Sequence, residues 1–280
     1  MIYGNNPAWR NGEWCQVKDL NVSILDLGLI HADATYDVMA FRNDKPFHVE
    51  EHMDRFLKSC EYWRIHLPYT REELLTAVKL VHVYSKMKDS IIWISATRGI
   101  PEDGNPRNLK HCTPDVMIYV KPYQKFNGTN KATVCTAKTA LRVPDLCINQ
   151  NHKNFVWPDL TRAQWEAIDR GFDTAILYSA VGNLTEGPGF NVAIIKNDIV
   201  YAPKRNCLPG ISMKIVEATC QELGIDFYWA DLKPAAIDSC QDMFLTTTIG
   251  NIVTVTNLDN RTLHTSEIQQ KLINKINRRK

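Results

Sequence analysis

Apolar residues recur at helical spacing in two segments of the first part of the chain, residues 49–63 and 70–86. This spacing predicts two amphipathic helices, each with one face toward a core. Short apolar runs predict extended segments at 22–25, 36–41, 91–97 and 116–120. Helices and strands that are mixed in this way indicate an α+β unit.

The second part of the chain carries shorter apolar runs. Strands are predicted at 132–137, 174–178, 190–195, 227–230 and 243–247, and helices at 158–170, 212–223 and 266–276. The intervening stretch, residues 121–131, is polar and contains Pro122 and Gly128, which is typical of a linker. We therefore predict a two-domain α+β or α/β protein, with a smaller domain at 1–120 and a larger one at 132–280.

Composition narrows the class of protein only a little. The chain has 280 residues, enough for two modest hydrophobic cores. Its 33 basic and 31 acidic residues nearly balance, so the net charge does not indicate nucleic-acid binding. Eight cysteines without a CxxC pair, and no apolar leader, suggest reduced thiols in a cytoplasmic protein. No run reaches membrane-spanning length, and no set of three or four ligands is spaced for a metal.

Lys153 is a candidate nucleophile. An apolar and aromatic stretch, Phe155-Val-Trp157, follows it, and Pro158 begins a predicted helix. Partial desolvation would make its amine available as a nucleophile and later as a proton carrier. Taken alone, however, a lysine beside a helix start is usually a surface charge.

A carboxylate and a candidate anion cradle follow Lys153 in the sequence. Glu186 lies in a glycine-containing turn between two apolar runs, so it could point inward, although such residues are more often solvated. The turn 208–212 precedes an amphipathic helix, whose free N–H groups and positive dipole end suit a phosphate. The alternative is an ordinary helix that Ser212 caps.

An amine, a carboxylate and a phosphate cradle are what pyridoxal phosphate requires from a protein. In these features the chain resembles the fold type IV pyridoxal-phosphate enzymes, the class IV aminotransferases. The matching segments are Asp26–Asp37, His52–Phe56, Lys153 with Glu166-Ala167, Leu184–Asn191, Leu208–Ser212 and Phe244–Thr248. Several motifs in the same order are far more specific than any one of them.

The resemblance implies a D-amino-acid-aminotransferase-like fold and a role for each matching residue. Lys153 would be the Schiff-base lysine, Glu186 the partner of the pyridine nitrogen, and Arg55 the residue that grips the phosphate. The other implied cofactor contacts are Leu208 against the ring face, and Ile211, Ser212, Thr247 and Thr248 around the phosphate. The family also implies a homodimer in which a loop of the partner subunit completes each site.

Within the family, the segments around Tyr36 and Lys153 are most similar to (R)-selective amine transaminases, with D-amino-acid transaminases next. This places His31, Tyr36 and Val38 in the implied substrate pocket. Trp93 stands where the (R)-amine enzymes carry an acid and branched-chain enzymes an arginine, so the pocket is expected to differ in shape. Leu29 and Met213 are further departures from the subgroup patterns.

A transaminase must also bind the carboxylate of an oxo acid, for which the planar guanidinium of arginine is well suited. Arg107, in a polar loop that could move over a site, and Arg98, at the end of the preceding strand, are the candidates. The alternatives are a solvated loop arginine for Arg107 and a structural ion pair for Arg98.

These residues and the resemblance together predict a ping-pong transamination. The favoured reaction moves an amino group from an (R)-amine or D-amino acid to a 2-oxo acid such as pyruvate. The alternatives are a branched-chain L-amino-acid aminotransferase, a pyridoxal-phosphate lyase of the aminodeoxychorismate type, and a cofactor-free binding protein on the same scaffold. We expect no nucleic-acid or membrane partner.

Overall fold

The computed structural model describes residues 3–248 and 251–278, with Asn251 described by its backbone alone. The strands are Pro7–Arg10 (β1), Glu13–Gln16 (β2), Ala34–Arg42 (β3), Lys45–Phe47 (β4), Ser90–Pro101 (β5), Cys112–Pro122 (β6), Lys131–Thr136 (β7), Thr174–Ile176 (β8), Glu186–Gly187 (β9), Phe190–Lys196 (β10), Ile199–Pro203 (β11), Phe227–Ala230 (β12), Asp242–Thr247 (β13), Asn251–Leu258 (β14) and Arg261–Thr262 (β15). The α-helices are Leu27–Ile30 (α1), Val49–Tyr62 (α2), Arg71–Ser85 (α3), Pro158–Asp169 (α4), Ile211–Leu223 (α5), Pro234–Asp238 (α6) and Glu267–Asn277 (α7).

The described residues form two compact units. The first runs up to Tyr123 and includes His152–Val156, and the second holds Gln124–Asn151 and the chain from Trp157 onward. This division differs from the predicted continuous domain at 132–280, because the backbone of Lys153 is bound by the first unit. Its carbonyl accepts hydrogen bonds from Thr35 Oγ1 at 2.8 Å and Trp63 Nε1 at 3.0 Å.

A six-stranded antiparallel sheet in the order β2-β1-β6-β5-β3-β4 is the basis of the first unit. Helices α2 and α3 cover one of its faces. Alternate strand residues such as Met39, Ile92 and Ile118 are buried there together with Phe56 of α2 and Leu74 of α3. Helix α3 begins at a reciprocal capping box between Thr70 and Glu73.

The second unit contains a nine-stranded mixed sheet. Its main path is β12-β11-β10-β13-β14-β7-β8, with β9 paired to β10 and β15 paired to β14. The pairs β11–β12, β7–β14 and β7–β8 are parallel, and the remaining pairs are antiparallel. The core contains Val192, Leu245 and Val253, and a second cluster joins Ala163 of α4 to Ala175 of β8.

Most predicted elements are confirmed within one or two residues at their ends, including α2, α3, α4, α5 and α7. The extended segment predicted at 22–25 is wrong. The chain turns there instead, and the side chains of Ile24 and Leu25 are 73% and 62% exposed. Within the described residues, no helix is both long and apolar enough to cross a membrane.

Candidate active site

The predicted site residues are divided between the two units. The first unit holds His31, Tyr36, Val38, Arg55, Trp93, Arg98, Arg107 and Lys153, and the second holds Glu186, Leu208, Ile211, Ser212, Thr247 and Thr248.

Lys153 is anchored by its backbone while its amine projects from the chain. The backbone N–H of Lys153 donates to Ser59 Oγ at 3.2 Å, and its carbonyl accepts from Thr35 and Trp63 as described above. The Nζ atom lies 4.2 Å from the ring centroid of Tyr36. Among the residues described, no carboxylate lies within ion-pair distance of this amine. The structure therefore fixes the position of Lys153 and, as far as the chain is described, leaves its amine unpaired with an acid.

Tyr36 belongs to a group of aromatic side chains beside this amine. Its ring stacks on Trp93, with centroids 4.7 Å apart and planes 7° from parallel. The rings of Tyr36 and Phe155 form an edge-to-face pair with centroids 5.2 Å apart. Val38 lies directly opposite Trp93 in the sheet. The structure thus brings together the predicted pocket residues Tyr36, Val38 and Trp93 with Lys153.

Arg55 is held by a buried carboxylate. Its Nε and Nη2 atoms donate to the two oxygens of Asp37 at 2.7 and 2.8 Å, and His52 Nδ1 lies 2.8 Å from Asp37 Oδ1. Burial raises the pKa of Asp37, but the charges of Arg55 and His52 outweigh it and hold that pKa well below its usual range. Arg55 is therefore oriented by a carboxylate that stays ionised, a contact that the sequence analysis did not predict.

The two arginines predicted for carboxylate recognition have different surroundings. Arg98 forms a two-pronged pair with Asp33 at 2.8 and 2.9 Å and donates to the carbonyls of Trp63 and Arg64. These contacts favour the structural ion pair for Arg98. Arg107 lies exposed in the loop between β5 and β6, and His31 is exposed at the end of α1.

Glu186 lies in β9 and is 6% exposed, so the predicted inward orientation agrees with its burial. Its Oε1 accepts from Arg142 Nε at 2.9 Å, and its Oε2 accepts from the backbone N–H of Leu208 at 2.9 Å. Asn191 Nδ2, directly opposite on β10, is 3.4 Å from the same Oε2 and donates to the carbonyl of Leu208 at 2.8 Å. Glu186 is thereby linked to the turn before α5.

Arg142 is the main feature of this site that sequence reasoning missed. It is 4% exposed and also pairs with Asp159 Oδ2 at 2.6 Å and with the side-chain amide oxygen of Gln150. Burial disfavours its charge, but Glu186 and Asp159 outweigh that effect and raise its pKa. The one available signal was a charged residue inside the apolar run Ala140-Leu-Arg-Val-Pro144, since buried arginines are normally paired.

The N-terminus of α5 is the candidate phosphate cradle. The helix begins at Ile211, and its N-cap Gly210 supplies no side-chain acceptor to the first turn. Ser212 lies inside the helix, so the alternative in which Ser212 caps it is wrong. A Cβ on residue 210 would lie 1.9 Å from Asn191 Oδ1, so only glycine fits this close approach.

Thr247 and Thr248 follow at the end of β13. Thr247 is buried, and Thr248 is partly exposed in the turn after the strand. The neighbouring Thr246 lies opposite Asn191, and its hydroxyl is buried without a hydrogen-bond partner in the part of the chain described. In the part of the chain that the structure describes, no three His, Cys, Asp or Glu side chains are grouped so that they could hold a metal ion.

The donor set fits pyridoxal phosphate. Within residues 3–248 and 251–278, the half-buried lysine amine has no acid partner, the buried carboxylate is fixed by an arginine, and the helix N-terminus has no side-chain cap. These are the three groups that the aldehyde, the ring nitrogen and the phosphate of this cofactor require.

Residues 34–258 match the family model for amino-transferase class IV. The chain belongs to this family. It is a pyridoxal-phosphate-dependent aminotransferase with the two-sheet fold of fold type IV, which confirms the predicted fold class, enzyme class and cofactor. The roles of the individual residues remain predictions.

The relatives include aminotransferases of two substrate types. A Methanocaldococcus jannaschii protein provisionally named a branched-chain-amino-acid aminotransferase is 28% identical, covering 93% of this chain and 90% of its own. The D-alanine aminotransferase of Staphylococcus haemolyticus is 27% identical, covering 89% and 88%. The fold is similar to that of the branched-chain aminotransferase from Thermoproteus uzoniensis with norvaline, at a TM-score of 0.90, 23% identity and coverage of 97% and 93%. Family membership therefore leaves the handedness of the amino donor open.

Proposed function

We propose that this aminotransferase moves an amino group from an (R)-amine or a D-amino acid to a 2-oxo acid such as pyruvate in a ping-pong reaction. The observation that carries the transamination is the Lys153 amine, fixed by its backbone, held over the Tyr36 ring and unpaired with an acid among the described residues. Support for the favoured donor comes from the similarity of segment 31–38 to (R)-amine transaminases and from the D-alanine aminotransferase relatives.

Lys153 carries the proton in this proposal. Bound pyridoxal phosphate supplies the aldehyde that takes up the amino group and a ring that accepts the electron pair from the substrate carbon. The Lys153 Nζ would take up the proton that leaves the substrate carbon and would carry it until it is returned.

Glu186 would be the partner of the ring nitrogen of bound pyridoxal phosphate. Arg142 Nε and the Leu208 N–H each donate to one oxygen of the carboxylate, which fixes its orientation and favours its ionised form. An ionised carboxylate stabilises a protonated ring nitrogen through opposite charge, and this strengthens the electron-accepting ring.

For the phosphate we propose the first turn of α5, and the family resemblance implies Arg55 as a further ligand. Ile211 and Ser212 contribute backbone N–H groups at the positive end of the helix dipole. Thr247 and Thr248 would add hydroxyl groups, and Leu208 would lie against the ring of the bound cofactor. Arg55 adds positive charge, oriented by Asp37.

A branched-chain L-amino-acid aminotransferase is the second candidate. The relative from Methanocaldococcus jannaschii favours it, since it is 28% identical over nearly the whole chain. We also propose a homodimer, as the family resemblance implies, and a cytoplasmic location. All eight cysteines are free, which is typical of proteins from reducing compartments.

Product analysis tests the donor. Holoenzyme is incubated with pyruvate and either (R)- or (S)-1-phenylethylamine, and acetophenone and the handedness of the alanine formed are measured by chiral chromatography. The proposal predicts acetophenone from the (R)-amine and D-alanine as the product. Formation of L-alanine, with L-leucine as the better donor, would favour the branched-chain candidate instead.

A further inference from the structure

A row of aromatic rings crosses three strands of the first unit. Tyr36 of β3 stacks on Trp93 of β5, and Trp93 stacks on Tyr119 of β6 at a centroid distance of 6.1 Å and an angle of 14°. Trp93 lies directly opposite both Val38 and Tyr119 in the sheet register. These three rings, here called the aromatic row, therefore project from the sheet face opposite to that covered by α2 and α3.

A lysine amine lies near each end of the aromatic row. At one end, Lys153 Nζ is 4.2 Å from the ring centroid of Tyr36. At the other, Lys121 Nζ is 5.2 Å from the centroid of Tyr119 and 5.9 Å from that of Trp93. Lys121 follows Tyr119 by two residues on β6, so both side chains lie on the same face. Both amines and the row belong to the first unit.

Lys121 differs from the arginines on the same sheet. Arg10 pairs with Asp115, Arg42 with Asp89 and Arg98 with Asp33. Lys121 has no carboxylate within 4.0 Å in the described part of the chain, although it is partly buried. A partly buried ammonium that lacks an anionic partner forms a stronger pair with an incoming carboxylate than a fully solvated one does.

We propose that the aromatic row binds the side chain of the amino donor and that Lys121 receives an anionic group at the far end of that side chain. The inference rests on the proposed function, because it takes Lys153 as the reacting amine. The substrate class is an amino compound with a flat apolar body and a carboxylate distant from the amino group. Tyr119 and Lys121 are then specificity residues in addition to Tyr36 and Trp93.

The order of side chains along the row sets the geometry of this donor. Trp93 separates the Tyr36 end from Lys121, so a carboxylate attached to the same carbon as the reacting amine stays near Tyr36. A carboxylate on the opposite side of a benzene ring lies farther from the amine, toward the Lys121 end of the row. Flat side chains also gain from packing along aromatic rings through apolar area and ring–ring contact.

Two amines that differ in one carboxylate test the inference. The donors are 1-phenylethylamine and 4-(1-aminoethyl)benzoic acid, each as separate enantiomers, and the readout is the donor concentration that converts half of the bound cofactor. The wild type should need about 10-fold less of the benzoic acid than of the parent amine, because one charge-assisted hydrogen bond to Lys121 strengthens binding by about this factor. Lys121→Met should remove this preference, whereas Lys121→Arg should keep it.

Binding without reaction gives a second readout. Calorimetry compares 4-ethylbenzoate with 4-ethylbenzamide, neither of which carries an amine. Wild-type holoenzyme and the control Lys125→Met, at an exposed lysine, should prefer the acid about 10-fold. Lys121→Met should bind acid and amide alike while keeping the far-ultraviolet circular dichroism of the wild type.

The two proposals fail in distinguishable ways. If wild-type holoenzyme transfers amino groups but shows no preference for the benzoic acid, or if Lys121→Met keeps the preference, the inference about Lys121 is overturned and the proposed function stands. If no amine or D-amino acid converts the bound cofactor, the proposed function fails, whatever calorimetry shows for the acid and the amide.

Discussion

At the scale of single residues, the charged groups of the site are fixed by partners far away in the sequence. Arg142 and Glu186 are 44 residues apart, and Asp37 and Arg55 are 18 apart. In both pairs a buried or nearly buried arginine meets an acid through short hydrogen bonds, so neither partner can be lost without leaving a desolvated charge. Such contacts serve orientation, since each ties a proposed cofactor ligand to a second element.

Lys153→Ala removes the amine and leaves the backbone anchors from Ser59, Thr35 and Trp63 in place. We expect a folded protein that has lost turnover and the visible absorbance of covalently held cofactor. Absorbance spectra and an assay with D-alanine and 2-oxoglutarate measure both. Lys58→Ala, at an exposed position of α2, is the control and should behave as wild type. A Lys153→Ala protein that kept colour and turnover would contradict the assignment.

Arg142→Met keeps much of the side-chain volume but leaves Glu186 and Asp159 without their counter-charge. Breaking a buried pair in this way costs about 3–5 kcal/mol of unfolding free energy. Urea unfolding of the cofactor-free protein measures this loss, and titration with pyridoxal phosphate should show weaker binding. The control Arg162→Met changes an exposed arginine of α4 and should leave both unchanged. Equal stability of Arg142→Met and wild type would show that Arg142 is dispensable.

At the scale of elements, regular spacing explains what could be predicted. Helices α2, α3, α4, α5 and α7 follow from apolar residues at helical intervals, and their ends follow from signals such as Pro158 and Gly224. The short strands β1, β2, β4 and β15 carry too few residues for a pattern, and their existence depends on pairing partners. The run 22–25 is apolar but exposed, so hydrophobicity alone predicted it wrongly.

The sequence predicted the motif residues of the candidate site but not the residues that hold them in place. Its motifs identified the family and the cofactor, which the comparisons confirm, because lysine, glutamate and turn occur in a characteristic order. Asp37 and Asn191 carry no local signal, and the charge of Arg142 inside an apolar run does not reveal its partners, since tertiary packing brings these residues together. Arg98 shows the reverse case, because a candidate for substrate binding is occupied by Asp33.

Glu166 links α4 to the loop after β7 and gives a pH dependence. Burial raises its pKa, but hydrogen bonds from Thr139, Lys138 and Arg170 outweigh this and lower the pKa to about 2. Its stabilising contribution is therefore complete above its ordinary pKa of 4.5 and is lost as the pH falls toward 2.

Glu166→Gln tests this linkage. The difference in unfolding free energy between wild type and variant should be largest at pH 6 and should shrink between pH 4.5 and pH 2, as urea titrations at several pH values measure. Glu267→Gln, at an exposed residue of α7, is the control and should show no such trend. A constant difference across this range would contradict the lowered pKa.

Gly210→Ala probes the turn before α5. The added methyl group overlaps Asn191 Oδ1, so either the Asn191 amide, which donates to the Leu208 carbonyl, or the turn itself must shift. A shift of the turn moves the first N–H groups of α5 with it. Overpacking of this kind costs about 1–3 kcal/mol of stability. If these N–H groups hold the phosphate, the variant should lose more affinity for pyridoxal phosphate than for pyridoxal, measured by fluorescence titration. Equal losses for both would place the phosphate elsewhere.

At the scale of the whole molecule, the fold and the family extend over nearly all of the chain, yet they do not select the donor. Relatives named for D-alanine and for branched-chain amino acids are similar to the chain to almost the same degree. One fold supports several specificities because the pocket side chains differ while the sheets are kept. Pocket side chains must therefore select the donor, and we propose Trp93 and Lys121 among them.

The most direct test of the proposed function is a single-turnover screen. Yellow holoenzyme is mixed with matched enantiomers of alanine, glutamate, leucine and 1-phenylethylamine, and the loss of the visible cofactor absorbance is followed in the absence of an acceptor. We predict bleaching by (R)-1-phenylethylamine or by a D-amino acid. Bleaching by L-leucine and L-glutamate alone would contradict the proposed donor and assign the chain to the branched-chain L-amino-acid aminotransferases.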